Sequence, residues 1–213
     1  MYDNGINFYD DLINFRNINL IEASKRGYTS TVSSLLENGH DVNMKDSCNE
    51  TALLKATMNG HDDIVEMLLE KGADVNSIDE NCIKVLMWAC VQGHALIVSM
   101  LLDKGVDVNA RTINNETALI KASCKGDTQI VKLLLEKGAD VNAKSEGRTA
   151  LMWASRNRHI DIVTLIENHI RAKLMKERIM TALVIKKGLT QNGDTPLLQC
   201  AHRETIYRIA SFF

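Results

Sequence analysis

A single repeating period of about 33 residues runs through most of the chain and constrains its fold more than any other feature. Three independent landmarks follow this period: a glycine after a short apolar stretch, a glycine before a polar loop, and the asparagine of an Asp-Val-Asn triplet. Their positions are Gly27, Gly60, Gly93 and Gly126; Gly39, Gly72, Gly105 and Gly138; and Asn43, Asn76, Asn109 and Asn142. A repeat of this length predicts stacked supersecondary units rather than one enclosed core.

The residues between the landmarks predict two short helices in each unit. In the second unit, Leu53 and Ala56 share one helical face, and Gly60 is expected to end that helix in the left-handed conformation. Asp62 or Asp63 is expected to cap the second helix. Helices this short are unstable alone, so neighbouring units must bury their apolar faces against one another.

The units resemble the ankyrin repeat, whose pattern is T-P-L-H-x-A, a Gly-His turn, an LLxxGA-type second helix and a D-V-N hairpin. The resemblance rests on openings such as Thr51-Ala52-Leu53-Leu54-Lys55-Ala56 and on turns such as Gly60-His61. It implies an all-α fold, an ankyrin-repeat solenoid of stacked helix pairs with β-hairpin-like loops and a concave side. The five matching units lie at about 18–46, 47–79, 80–112, 113–144 and 145–168.

Alternate units are more alike than adjacent ones. Asn49-Glu50-Thr51-Ala52-Leu53 recurs two full periods later as Asn115-Glu116-Thr117-Ala118-Leu119. Leu86-Met87-Trp88-Ala89 recurs as Leu151-Met152-Trp153-Ala154, one position short of two full periods. The array therefore reads as a duplicated pair of repeats.

Four segments are predicted along the chain. They are an N-terminal capping segment (1–17), repeats one to five (18–168), a helical basic insertion (169–192) and a degenerate C-terminal capping repeat (193–213). Basic and apolar residues recur at helical spacing through the insertion as far as Gly188. This stretch is interpreted either as a lengthened outer helix of unit five or as a basic amphipathic helix for an acidic partner or a membrane surface.

Charge and composition limit the class of partner and the compartment. Residues 1–143 contain 13 Lys and Arg against 21 Asp and Glu, whereas residues 144–213 contain 12 against 6. The acidic part repels phosphate, so we expect no nucleic acid along the repeats. The first twenty residues have no apolar signal segment, no transmembrane segment is found, and the five cysteines form no CxxC pair. We expect a cytoplasmic protein with reduced thiols, acting as a monomer.

The sequence contains no nucleophile elbow, phosphate loop or metal-ligand helix, so we predict no enzyme activity, no catalytic residue, no metal and no cofactor. His61, His94 and His159 occupy the same turn of the repeat, where a ring that bonds backbone is expected. Triplet Asp and Asn residues ordinarily bond local backbone. In the ankyrin family, an asparagine in this hairpin context can also be hydroxylated, which implies candidate modification sites at Asn76, Asn109 and Asn142.

The resemblance implies that the residue before the buried alanine of each first helix points to the concave groove. Trp88 and Trp153 take this position in alternate units, and tryptophan is enriched at binding hot spots. The alternative, that both indoles pack between neighbouring helices, stays open. Ile83 and Ile113 lie at hairpin tips, where an exposed isoleucine is unfavourable for solubility alone. The predicted partner-binding set is Lys55, Met58, Ile83, Trp88, Val91, Gln92, Ile113, Lys121, Lys125, Arg148, Trp153 and Arg156.

These features predict a non-catalytic protein–protein interaction module, such as a scaffold, adaptor or inhibitor, that binds a protein through the groove and the hairpin tips. One alternative is a regulatory or substrate-recruiting fragment of a larger enzyme or ligase assembly. Another is a host-directed effector, for which the host-cell cytoplasm is the expected location.

Overall fold

The computed structural model describes residues 18–78 and 84–191, with side chains as far as residue 183. The chain divides into two compact units, Met1–Leu165 and Ile166–Phe213. The predicted capping segments 1–17 and 193–213 lie outside the described residues, and so does Ile83. The described part contains helices joined by loops and, in place of strands, isolated β-bridges.

Within residues 18–78 and 84–191, the helices form five consecutive pairs. The inner helices are α1 (Leu20–Arg26), α3 (Ala52–Asn59), α5 (Val85–Gln92), α7 (Ala118–Lys125) and α9 (Ala150–Arg156). The outer helices are α2 (Thr29–Glu37), α4 (Asp62–Glu70), α6 (Ala95–Asp103), α8 (Thr128–Glu136) and α10 (Ile160–Gln191). Each inner helix packs on the next inner helix, and α2, α4, α6 and α8 pack in a second row. The predicted all-α solenoid of stacked helix pairs is confirmed.

Threonine caps start three of the inner helices, α3, α7 and α9, at a fixed position of the repeat. The hydroxyl oxygens of Thr51, Thr117 and Thr149 accept hydrogen bonds from the backbone N–H three residues later, at 3.2, 3.3 and 3.4 Å. These bonds satisfy one of the N–H groups that a helix leaves unpaired at its start. Lys84 takes this position in α5, and its side chain makes no capping hydrogen bond.

The core is a continuous apolar layer between the two rows of helices. Inner-helix residues Leu53, Leu86 and Leu119 and outer-helix residues Ile64 and Leu68 are each at most 1% exposed. Every pair contributes the same few positions, so the layer extends unit by unit and no pair closes it alone.

The Gly-His turns join neighbouring units. The His61 ring lies against Gly27 of the preceding unit, so a side-chain carbon added to Gly27 would lie 2.7 Å from His61 Cε1. A side-chain carbon added to Gly60 would likewise lie 2.5 Å from His94 Cε1. His61 Nε2 lies 3.0 Å from the carbonyl oxygen of Lys25, so its backbone partner belongs to the preceding unit. Helix α4 begins at Asp62 directly after His61, and the prediction that Asp62 or Asp63 caps it is therefore wrong.

The loops are β-hairpin-like, as the repeat predicts. Antiparallel bridges close them at Lys45–Thr51, Ile78–Lys84 and Ser145–Arg148. In unit five the turn consists of Glu146 and Gly147 alone, both at positive φ (51° and 74°). Ser145 and Arg148 exchange backbone hydrogen bonds of 3.0 and 2.9 Å around it. This shorter turn explains why the second duplicated motif recurs one position short of two full periods.

Two of the triplet asparagines, Asn43 and Asn109, tie consecutive loops together. Asn43 Oδ1 accepts a hydrogen bond from the backbone N–H of Asp74 at 2.7 Å, and its Nδ2 donates to the carbonyl of Gly72 at 3.3 Å. Asn109 bonds Asp140 and Gly138 with nearly the same geometry, at 2.7 and 3.4 Å. The asparagine therefore stabilises the contact between units in addition to its own turn.

The tenth helix is much longer than the other outer helices. It runs unbroken from Ile160 to Gln191, so it continues through the predicted boundary between repeat five and the insertion at 168/169. The four predicted segments themselves stay a prediction. In the part of α10 that belongs to the compact unit Ile166–Phe213, apolar side chains are exposed at Leu174, Ile179, Met180 and Leu183. Among the described residues, no helix combines the length and the apolar character that a membrane crossing needs.

Candidate functional site

Equivalent positions of four inner helices carry Lys55, Trp88, Lys121 and Trp153, which we call the inner-helix row. All four side chains are half-buried. Short helices with packed neighbours, three of them capped by threonine, hold these positions, so the row is a rigid element of the surface.

The two lysines of the row form ion pairs with the hairpin of their own unit. Lys55 Nζ pairs with Glu50, and Lys121 Nζ pairs with Glu116 at 2.7 Å. The glutamate directly precedes the capping threonine in both units. Side-chain exposure is only 12–28% in these pairs, so each lysine charge is largely compensated inside the protein.

Unit five has a different pair of residues at these two positions. Arg148 replaces the glutamate and Trp153 replaces the lysine, with the Arg148 Cζ 5.2 Å from the centroid of the Trp153 ring. Arg156, one turn further along α9, places its Cζ 5.5 Å from the same centroid. Both distances are in the range of cation–π attraction. Trp153 Nε1 is buried and has no hydrogen-bond partner among the described residues.

Other predicted residues lie at the ends of the inner helices. Met58 and Val91 are half-buried, and the Gln92 amide donates to the Met58 carbonyl of the preceding unit at 3.3 Å. Lys125 is exposed at the end of α7. Asn157 Nδ2 donates to the Cys124 carbonyl at 2.8 Å, so the ends of α7 and α9 lie next to each other.

Ile113 lies at a hairpin tip and is 75% exposed. Its contribution to binding stays a prediction. The structure thus brings Arg148, Trp153 and Arg156 together, and it separately joins Met58 to Gln92. The glutamate partners of the two lysines were absent from the predicted set, although their recurrence before the capping threonine was a usable signal.

The hairpin of unit two brings a carboxylate oxygen of Asp46, the Sγ of Cys48 and a carboxylate oxygen of Glu50 within 4.8 Å of one another. Asp46 Oδ1 already accepts hydrogen bonds from the backbone N–H groups of Cys48 and Glu50, both at 2.9 Å. Glu50 is also paired with Lys55. These contacts account for the cluster as a hairpin turn.

Cys90 lies inside the stack and is fully buried. Burial raises the pKa of its thiol well above the usual range, and the nearby Asp127 carboxylate raises it further. The thiol therefore stays protonated near neutral pH, and a protonated buried thiol is a poor nucleophile. Its role is to fill space between the inner helices.

The triplet asparagines are on the surface, where a modifying enzyme could reach them. Asn76, Asn109 and Asn142 are partly exposed, and their backbone N–H groups donate to Asp74, Asp107 and Asp140 at 2.9 Å. Their hydroxylation stays a prediction.

The family model for ankyrin repeats (3 copies) matches residues 20–112 and 110–177. The chain belongs to the ankyrin repeat family. Proteins of this family generally act as protein–protein interaction modules and are typically non-catalytic. A comparison with curated proteins gives no match.

Proposed function

We propose that this chain is a non-catalytic protein-binding module that holds a protein partner on the inner-helix row and the hairpin tips. It acts as a cytoplasmic monomer in this proposal, and nucleic acid is not bound along the acidic repeats. Scaffold, adaptor and inhibitor roles all use such a face. The alternatives of a regulatory fragment in a larger assembly and of a host-directed effector stay predictions that share it.

The observation that carries the proposal is an exposed apolar side chain and a half-buried aromatic side chain held on a rigid support. Ile113 is 75% exposed at a hairpin tip, and Trp153 lies between a hairpin and a helix end with two guanidinium groups over its ring. Aromatic and arginine side chains carry a large share of the binding energy at protein interfaces. A rigid support lowers the ordering cost of binding.

The test is affinity capture from a cell lysate with three purified chains. The unaltered chain is compared with the double variant Ile113→Ser/Trp153→Ala and with Leu96→Ala. Leu96 is 57% exposed on the outer helix α6, so its variant removes exposed apolar surface away from the proposed face. Circular dichroism first establishes that all three are folded.

The expected result is a captured protein that is lost with the double variant and retained with Leu96→Ala. Removing two interface anchors weakens binding by about 2–4 kcal/mol, which is more than a tenfold loss. Equal capture by all three chains would contradict the proposal.

A further inference from the structure

The charges along the inner-helix row differ between alternate units. In units two and four, Lys55 and Lys121 are paired with Glu50 and Glu116, and the pairs are largely withdrawn from solvent. An incoming ligand therefore meets a locally neutral surface at these two units. Forming a new ion pair there would require breaking one that already exists.

Unit five instead presents positive charge around an aromatic ring. Arg148 and Arg156 lie over Trp153, and Lys125 lies at the adjacent end of α7. We call Lys125, Arg148, Trp153 and Arg156 the basic aromatic end. A guanidinium that contacts a ring through its face keeps N–H donors at its edge, which can bind a carboxylate with two hydrogen bonds.

The protein itself compensates little of this charge. Glu146 approaches Arg148 at 3.5 Å, but the two side chains are 71% and 42% exposed. An ion pair this open to solvent is weak. Within residues 18–78 and 84–183, neither Arg156 nor Lys125 has an ion-pair partner, so three cations face one carboxylate.

Helix stability accounts for part of the arrangement but leaves out Arg148. Lys125 and Arg156 occupy the last turns of α7 and α9, where a cation is favoured by the helix dipole. Arg148 lies just before Thr149, the N-cap of α9, where the dipole disfavours a positive charge. Its position there is better explained by the Trp153 ring and by an anionic ligand.

We propose that the basic aromatic end recognises an acidic segment of a protein partner. Carboxylates of the segment pair with Arg148 and Arg156, and its chain packs against the edge of Trp153. This inference rests on the proposed protein-binding function and names the chemistry of the partner. A short peptide is favoured over extended nucleic acid because residues 1–143 carry 21 acidic against 13 basic residues, which repel a phosphate backbone that continues along the repeats beyond this end.

The test uses the intrinsic fluorescence of Trp153 in the full chain. The protein has two tryptophans, so Trp88→Phe makes Trp153 the one reporter, and every chain compared carries this change. The ligand is a short peptide of alternating Glu and Ala with blocked termini. The same peptide with Gln in place of every Glu is the uncharged control, and a single-stranded oligonucleotide of equal length is the third ligand.

The decisive comparison is between two pairs of charge removals. Arg148→Gln/Arg156→Gln removes two cations from the basic aromatic end, whereas Lys71→Gln/Lys104→Gln removes two exposed cations beyond the ends of the outer helices α4 and α6. Both doubles lower the net charge equally, so a difference between them reports the position of the removed charges and not their number. Arg148→Lys/Arg156→Lys keeps the charges and loses the planar groups.

We expect the Glu peptide to change Trp153 emission saturably and the Gln peptide to leave it unchanged. The Arg→Gln double weakens Glu-peptide binding about tenfold or more, the Arg→Lys double by less, and the outer-helix double by about twofold at most. Added salt weakens the binding, as expected for exposed charges.

The proposal is overturned if the Glu peptide fails to bind, if both Gln doubles bind it equally, or if only the oligonucleotide binds. These failures are distinguishable from failure of the proposed function. If the lysate capture still depends on Ile113 and Trp153 while the Glu peptide does not bind, the proposed protein-binding function is supported and the proposed recognition of an acidic segment is wrong. If the capture also fails, both proposals fall.

Discussion

At the scale of single residues, Gly60 and Gly72 share one backbone conformation and differ in their surroundings. Gly60 and Gly72 both have positive φ, 72° and 83°. The space beside Gly60 is filled by the His94 ring, whereas nothing lies within 4 Å of the corresponding position at Gly72. A larger residue at Gly72 would meet only an unfavourable backbone conformation. At Gly60 it would also clash with the His94 ring.

Gly60→Ala is therefore expected to destabilise the protein more than Gly72→Ala. The left-handed conformation costs an alanine about 1 kcal/mol at either site. At Gly60 the added carbon also displaces His94, for a total of about 3 kcal/mol. Urea unfolding of the two variants measures the difference, and equal losses would show that the His94 contact contributes nothing.

Cys90 provides a pH-dependent readout of burial. Its folded-state pKa is raised, so the folded protein holds the proton after the unfolded chain has released it near pH 8.5. The contribution of the buried thiol to the free energy of unfolding is fully present below about pH 8.5 and falls by about 1.4 kcal/mol per pH unit above it.

Cys90→Ala is expected to remove this component of the pH dependence. The free energy of unfolding, measured by urea at several pH values from neutral to about 10, should fall more steeply in the unaltered chain than in the variant. The cavity left by the substitution lowers the variant's free energy of unfolding at every pH, so the dependence of that free energy on pH can still be compared between the two chains. Parallel slopes would mean that Cys90 titrates alike in both states.

At the scale of helices, the start of α5 is the one inner-helix start among units two to five that has no threonine. Lys84 has the extended backbone of an N-cap, with φ −77° and ψ 153°, yet its side chain makes no capping bond. Lys84→Thr is expected to stabilise the protein by about 1 kcal/mol. Thermal and urea unfolding measure the gain.

Lys84→Ala is the control for that prediction, because it removes the same charge and adds no oxygen. It should give no gain from capping. If the threonine and alanine variants are equally stable, the helix start does not depend on the missing hydrogen bond.

The helices and their register could be predicted from the sequence, because each depends on residues close in the chain. Gly60 ends α3 and Thr51 starts it through bonds to residues within about one turn. The inter-unit partners of His61 and Asn43 could not be predicted, since they depend on how far one unit rises above the last. The Arg148 ring contact also depends on the fold of the short turn at Glu146 and Gly147.

The same distinction applies to the candidate site: the sequence gives the positions of its residues and does not give their contacts. Trp153 and Ile113 could be proposed from the sequence because their positions in the repeat are fixed by the pattern. The compensation of Lys55 and Lys121 by hairpin glutamates was missed, because it requires each hairpin to fold back beside its own inner helix.

At the scale of the whole molecule, stability depends on the contacts between units, because each unit is unstable alone. Two kinds of contact join units three and four at the surface. Asn109 makes two hydrogen bonds to the next loop, and Lys137 pairs with Asp103 at 2.8 Å, with side chains 45% and 63% exposed.

Asn109→Ala is expected to weaken this interface by about 1–2 kcal/mol, because it leaves two backbone groups without their partner. Lys137→Ala, at the same interface, should cost about 0.5 kcal/mol or less. The asparagine variant should also broaden the urea transition, as units on its two sides unfold less cooperatively. An equal effect of the two variants would contradict this ranking.

The glycine–histidine contact gives the array a polarity that restricts how such a gene can grow. At three of the four junctions between units one to five, one unit offers an open backbone surface and the next offers a ring, so two such units fit only in one order and at one offset. Insertion of a fraction of a repeat would leave a ring facing a side chain, whereas insertion of complete repeats preserves every junction. Lengthening by duplication of a whole pair, as the recurring motifs record, is the change that this geometry tolerates.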